Sequence, residues 1–257
     1  MKTFALAAAV AAFIGMTATA QAADKLGIVL MHGKQGRPDH AIATLASRLS
    51  GAGYLVETPE MCWSKRRIYD KPYDACIAEL DPVVEDLRRQ GATAIVVAGH
   101  SLGGNGALAY GAGHAVKGVV ALAGAHNPER TINRPDIAES LAKAKAMIAE
   151  GRGAEHANFN EINAGWTFTV NCSADTYASF FDPGGPAVMA TNAARLQAPL
   201  LWVSGDRDKS QQNAAAIFSH APADPLNRHV IVAADHLDTP DAATDAVLAW
   251  LAEVAAR

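Results

Sequence analysis

Cysteine, charge and long apolar runs are all scarce in this chain of 257 residues. The three cysteines, Cys62, Cys76 and Cys172, have no Cys-x-x-Cys or His-x-x-x-His spacing around them, so the usual ligand pattern of a metal site is missing. Charged residues make up 19%, the formal net charge is −4 and there is no basic run. That excludes a nucleic-acid partner, whose phosphates need clustered Lys and Arg. Gly103-Gly104-Asn105-Gly106 carries neither the Gly-x-x-x-x-Gly-Lys-Ser/Thr nor the Gly-x-Gly-x-x-Gly spacing of a phosphate cradle, so no nucleotide or other cofactor is expected. No internal repeat and no linker composition marks a second domain.

What is present begins with a targeting pattern. Lys2 gives a positive start, residues 4–16 are apolar or small, and Ala20-Gln21-Ala22 offers an Ala-x-Ala cleavage site. The run is shorter than the roughly 20 apolar residues needed to cross a bilayer, and no later stretch resembles a membrane helix. Residues 1–22 therefore read as a signal peptide, with 23–257 exported to a bacterial periplasm or beyond and not held in a membrane. Export permits a disulfide. Cys62–Cys76 is the favoured pair because both lie in one loop-rich stretch, although Cys172 could replace either partner.

Apolar runs of strand length alternate with amphipathic segments. Strands are expected at 26–31, 54–57, 94–98, 118–123, 199–204 and 229–233, and helices at 39–50, 73–90, 102–113, 211–219 and 241–255. The strands are continuously apolar, as in a parallel sheet covered on both faces. The expected fold is a three-layer α/β/α sandwich with a mainly parallel sheet. Between about 127 and 198 the rhythm breaks: a charged helix at 137–150 precedes Gly-rich and aromatic sequence. This insertion is read as a small cap over one end of the sheet, or else as a wrap along the sheet edge.

The densest chemical signal is Gly99-His100-Ser101-Leu102-Gly103, which follows the apolar run 94–98 and precedes a small-residue helix. A serine on a tight strand-to-helix turn needs glycine on both sides, because side chains there would collide. Attack by such a serine on a carbonyl needs a base, an orienting acid and donors for the developing oxyanion. Each has a candidate at the C-terminal end of an expected strand, where sites assemble in open parallel sheets. For the donors these are the backbone N–H of Leu102 and that of Lys34, or alternatively Gln35, in Met31-His32-Gly33-Lys34-Gln35-Gly36. His236 is the candidate base, since it follows the last expected strand and completes a Ser, Asp, His order. Asp208 is the candidate acid, with Asp206 its competitor. His32, Gly33, His100 and His126 are expected to line the substrate site. Lys34, Arg37, Arg207 and Lys209 fall in loops at the same end and would suit an anionic substrate, although four solvated surface charges are the commoner arrangement. Trp63, Trp166, Phe180 and Phe181 would suit an acyl pocket, although aromatic residues are more often core.

These motifs together (His32-Gly33, the serine pentapeptide, Gly205-x-x-Asp208 and Asp235-His236) resemble the α/β-hydrolase superfamily over 26–250 apart from the insertion. Within it the chain is similar to the dienelactone-hydrolase and lipase/esterase-like branches. The resemblance ranks Asp208 above Asp206, because Gly-x-x-Asp after the penultimate strand is the usual acid position there. It implies a serine carboxylester hydrolase acting on a small-molecule ester of small or medium acyl size. The longer glycine run that follows the histidine in some lipases is missing, which speaks against a bulky lipid. One triad serves esters, thioesters, amides and peptides, so peptidase, amidase and thioesterase activities stay open, as does a non-catalytic binding role.

Overall fold

The computed structural model describes residues 24–163 and 165–257. The segment read as a signal peptide lies outside the described residues. Six parallel strands form the main sheet: β1 (Leu26–Met31), β2 (Leu55–Glu57), β3 (Ala94–His100), β4 (Gly118–Leu122), then β7 (Leu200–Gly205) and β8 (Arg228–Val232). Their spatial order is β2-β1-β3-β4-β7-β8. The order reverses between β1 and β3, which pair Leu26 with Ala94 through Met31 with Gly99. A crevice opens outside the carboxyl ends of strands at such a switch point.

Successive side chains of a strand point to opposite faces, and here both faces are apolar. Ile28, Leu30, Val96 and Val120 pack with Leu45 and Leu49 of α1 (Ala43–Gly51) and with residues of a C-terminal helix, including Val247 and Trp250. Val29, Met31, Val97 and Ala121 belong to a second core with Tyr73, Leu80, Val84 and Leu108. The three layers follow directly from the continuous apolar strands.

Three expected helices are broken, the last of them, 241–255, by a turn at Ala243 between Thr239–Ala242 and Thr244–Ala255. The span 73–90 divides into α2 (Tyr73–Ala78) and α3 (Leu80–Arg89). Pro82 has no N–H to give the Ala78 carbonyl, and its ring crowds that carbonyl, so one continuous helix cannot pass through. The serine helix is α4 (Leu102–Gly113), buried on nearly all sides. Beyond β7, the span 211–219 is a 3-10 turn, Lys209–Asn213, followed by a short helix, Ala214–Phe218.

The insertion sends no strand into the main sheet. It contains α5 (Pro128–Thr131), α6 (Pro135–Ala149), an antiparallel hairpin of β5 (His156–Asn163) and β6 (Trp166–Ser173), then α7 (Ala174–Phe181) and α8 (Met189–Ala193). The chain closes with α9 (Ala214–Phe218), α10 (Thr239–Ala242) and α11 (Thr244–Ala255). The hairpin was not among the expected strands. Phe159 and Glu161 of β5, with Val170 and Cys172 of β6, turn inward, while the alternate positions are polar except for the partly buried Ile162. Phe159, Val170, Tyr177 and Phe180 join the core on the serine-helix side of the sheet, so the insertion packs on that face.

Candidate active site

Ser101 lies between β3 and α4, at the N-cap position of the helix, with φ 56° and ψ −120°, a conformation that side-chain-bearing residues avoid. The turn is held from both directions: Ser101 N–H donates to the Leu122 carbonyl at 2.9 Å, and Ala125 N–H donates to the Ser101 carbonyl at 3.0 Å. It is also too tight for side chains beside it. A Cβ on Gly99 would sit 2.1 Å from the Gly103 carbonyl oxygen, and one on Gly103 would sit 2.4 Å from that of Met31.

His236 follows β8 and reaches the serine: its Nε2 lies 3.0 Å from Ser101 Oγ. Its Nδ1 lies 2.6 Å from Asp208 Oδ2 and 3.2 Å from Ser210 Oγ. Asp208 is buried and caps the 3-10 turn, accepting Ser210 N–H at 2.8 Å. Burial pushes its carboxyl upward, but the hydrogen bonds from His236 and Ser210 outweigh that and leave it below the usual carboxylate range. An ionised Asp208 fixes the imidazole proton on Nδ1, so Nε2 is free to accept from the serine. The competitor, Asp206, turns instead to the Ala234 N–H at 3.0 Å and supports the backbone of the His236 loop.

Lys34 and Leu102 line the cavity that Ser101 opens into, a space of about 910 Å³. Among the described residues Lys34 N–H has no backbone acceptor, and Leu102, as the first residue of α4, has none within its helix. Gln35, the alternative donor, is committed elsewhere: its N–H donates to the Trp63 carbonyl at 2.9 Å.

Of the four residues expected to line the substrate site, His126 lines the cavity beside Ser101, whereas His32, Gly33 and His100 do not line that cavity. His32 is buried with both ring nitrogens engaged, Nε2 accepting from Met61 N–H at 3.1 Å and Nδ1 donating to the Gly33 carbonyl at 2.8 Å. It shapes the loop after β1. A Cβ on Gly33 would come within 3.0 Å of Ser101 Cβ, so Gly33 acts through closeness to the elbow. His100 lies behind the elbow and donates from Nε2 to the His236 carbonyl at 2.8 Å, tying the two loops together. Burial holds its pKa down at about 4, with the neighbouring His236 adding to the effect. His126 is neutral for the same first reason, with a pKa near 3, and its Nε2 donates to the Phe180 carbonyl at 2.7 Å.

The aromatic candidates for an acyl pocket lie elsewhere. Trp63, Phe180 and Phe181 are buried in the core, Trp166 is 79% exposed on the hairpin, and none of the four lines the cavity. Its apolar walls come from Leu102, Met189, Ala214 and Ile217 instead. Three of the four cationic loop residues are paired with carboxylates. Arg37 pairs with Asp39 away from the cavity, Arg207 pairs with Asp206, and Lys34 is bound to the buried carboxylate of Glu161. Lys209 has no carboxylate partner among the described residues. Two residues that the sequence did not single out contribute here. Ser210 braces the Asp208–His236 pair, and Glu161 holds the side chain of Lys34. A small polar residue after the acid carried a faint signal for the first, and nothing local signalled the second.

No group of three or more His, Cys, Asp or Glu residues suited to a metal occurs among the described residues. The arrangement can polarise a serine hydroxyl and move its proton to an imidazole.

None of the curated proteins matches this chain by sequence. Solved structures resemble it closely in fold. A monoacylglycerol lipase from Paleococcus ferrophilus is 20% identical, with a TM-score of 0.65 over 91% of this chain and 96% of that one. Est1E from Butyrivibrio proteoclasticus, solved with ferulic acid bound, is 16% identical with a TM-score of 0.68 over 90% of each chain. One of the metagenome-derived lipolytic enzymes described as LipS and LipT is 18% identical, with a TM-score of 0.63 over 91% of this chain and 94% of that one. With the parallel sheet and elbow already described, the match of residues 28–250 to the model of the alpha/beta hydrolase family places this chain in that family.

Proposed function

We propose that this protein is a serine carboxylester hydrolase that cleaves small or medium acyl esters through an acyl-enzyme. The observation that carries the reading is the unbroken relay from Asp208 through His236 to Ser101 Oγ, with successive contacts of 2.6 and 3.0 Å. Ser101 Oγ attacks the acyl carbon as His236 Nε2 takes its proton, and the carbonyl oxygen becomes an oxyanion facing the Lys34 and Leu102 N–H groups. The tetrahedral intermediate collapses, and His236 returns the proton to the departing alcohol. Water then attacks the acyl-Ser101 ester, again giving up its proton to His236, and releases the acid with Ser101 restored. A cavity of about 910 Å³ with apolar walls supports a substrate of modest size. The lipase and esterase names among the structural neighbours favour an ester over a peptide.

The same reading includes export. The leader-like residues 1–22 support it, and so does the Cys62–Cys76 disulfide, since such bonds persist in oxidising compartments.

The test is hydrolysis of a p-nitrophenyl ester series from acetate to decanoate, set beside p-nitroanilides of the same acids. Turnover of the shorter esters that falls at least ~10³-fold in Ser101→Ala and His236→Ala is the expected result. Anilide turnover exceeding ester turnover would redirect the assignment to an amidase.

A further inference from the structure

We propose that Glu161, on the cap hairpin, is a positioning residue for the oxyanion site: it grips the Lys34 ammonium and so fixes where the Lys34 backbone N–H points. The inference rests on the ester-hydrolase reading above and deepens it.

Glu161 is wholly buried, an unusual place for a carboxyl side chain, on a hairpin whose alternate positions are mostly polar. Its carboxylate is saturated with donors. Oε1 accepts Lys34 Nζ at 2.9 Å and the Ile162 N–H at 2.6 Å, and Oε2 accepts the Tyr69 hydroxyl at 2.5 Å. Tyr69 is itself buried, and burial together with Glu161 keeps its phenol protonated and donating. Lys34 Nζ donates again to the Ile162 carbonyl at 2.9 Å and lies 5.9 Å from the centroid of the Phe181 ring. Its side chain is 7% exposed.

Three separate segments meet at this carboxylate: the loop after β1 through Lys34, the disulfide-closed loop through Tyr69, and the hairpin itself. A buried charge pair of this kind is poor value for stability, because desolvation offsets most of the attraction. What it does supply is direction. The lysine has four rotatable side-chain bonds, and two hydrogen bonds to one hairpin remove that freedom. On its other side the same loop is pinned by Gln35 N–H on the Trp63 carbonyl. Lys34 N–H therefore lies between two anchors, one backbone and one ionic, and an oxyanion donor must be held within a few tenths of an ångström to act only on the transition state. Cap and catalytic loop are joined at the residue where that matters most.

The donor is a backbone group, so changing the Lys34 side chain leaves the N–H in place and removes only its anchor. Three variants separate positioning from bulk stability: Glu161→Gln, Lys34→Met, and the two combined. Each single change strands one buried charge or dipole and should lower the melting temperature. The double change removes both charges together and should recover much of that loss. With p-nitrophenyl butyrate, all three should show kcat reduced ~10- to 100-fold, short of the ~10²–10³ lost when an oxyanion donor is deleted outright, with KM within about threefold of wild type. A trifluoromethyl ketone that adds to the serine should lose affinity in parallel with kcat. Recovery of kcat together with the melting temperature in the double variant would mean the pair is merely structural, and so would unchanged kcat in the single variants. A wild-type protein inert towards both the ester and a fluorophosphonate would remove the hydrolase reading, and this proposal with it.

Discussion

His236 Nδ1 lies 2.6 Å from Asp208 Oδ2, while Asp206, two residues earlier in the same loop, gives its carboxylate to the Ala234 N–H at 3.0 Å. The two acids thus have separable consequences. Asp208→Asn presents an amide that favours the wrong imidazole tautomer, and kcat for ester hydrolysis should fall ~10³- to 10⁴-fold with little change in melting temperature. Asp206→Asn keeps an acceptor for Ala234 and should cost less than ~10-fold. Steady-state kinetics on the two variants checks the ranking, and equal losses would contradict it.

The elbow predicts a failure of folding rather than of chemistry. In Gly99→Ala the new Cβ meets the backbone carbonyl of Gly103 at 2.1 Å, and neither strand nor helix can withdraw without breaking the Ser101–Leu122 contact. A destabilisation on the order of 4 kcal/mol or more is expected. It would be read as loss of soluble protein or a large drop in urea midpoint, and a variant that melts like wild type would contradict the geometry.

Much of this was legible in the chain itself. Continuous apolar strands separated by amphipathic segments imply a parallel sheet buried on both faces, and the glycines at 99 and 103 mark a turn that nothing larger fits. Ser101 and His236 stood out because each follows a strand in a Ser, Asp, His order, and one end of a parallel sheet collects such positions; Asp208 was ranked above Asp206 only by the family resemblance. The hairpin was legible only in its second strand. There β6 alternates Trp166, Phe168, Val170 and Cys172 with polar residues, a strand signal that the aromatic, Gly-rich reading of the insertion passed over. In β5 the inward Glu161 follows Phe159, so the apolar alternation that betrays a strand is interrupted by a carboxylate. That carboxylate is tolerated only because Lys34 and Tyr69, 127 and 92 residues away, come to meet it. His32 and His100 misled for a similar reason. Their neighbours in sequence are site residues, but His32 Nε2 is taken up by the Met61 N–H and His100 Nε2 by the His236 carbonyl, backbone groups that only the fold brings near.

Those same histidines make stability depend on pH. Burial depresses His100 to about 4 and His126 to about 3, against an ordinary value of 6.5, and it lowers His32 as well. Below 6.5 the unfolded chain takes up protons that the folded chain refuses. Their contribution is therefore complete above about 6.5 and is lost progressively down to about 4 for His100 and about 3 for His126. The His100 shift alone corresponds to roughly 3 kcal/mol. Thermal melts should show the midpoint falling steadily from pH 7 to pH 4, and a flat profile across that range would contradict the buried, neutral assignment.

The cysteines divide cleanly into a bond and a buried thiol. Cys62 and Cys76 are joined across a Cα separation of 5.7 Å, and Cys172 is free and buried, with burial pushing its pKa up to about 12. A thiol-specific aromatic disulfide reagent should find no reactive group in the native protein and a single one after denaturation without reductant. Breaking the bond in Cys62→Ser/Cys76→Ser should cost about 3 kcal/mol on the chain-entropy view of a loop this size. Two or more thiols released by denaturation alone would contradict the pairing.

The most direct test of the central claim is covalent. The mature protein is incubated with a fluorophosphonate, digested and mapped by mass spectrometry. Ser101 is the expected site of a single phosphonate adduct, formed at a rate that collapses in His236→Ala and Asp208→Asn. An unlabelled native protein, or an adduct on any other residue that persists in Ser101→Ala, would contradict the account.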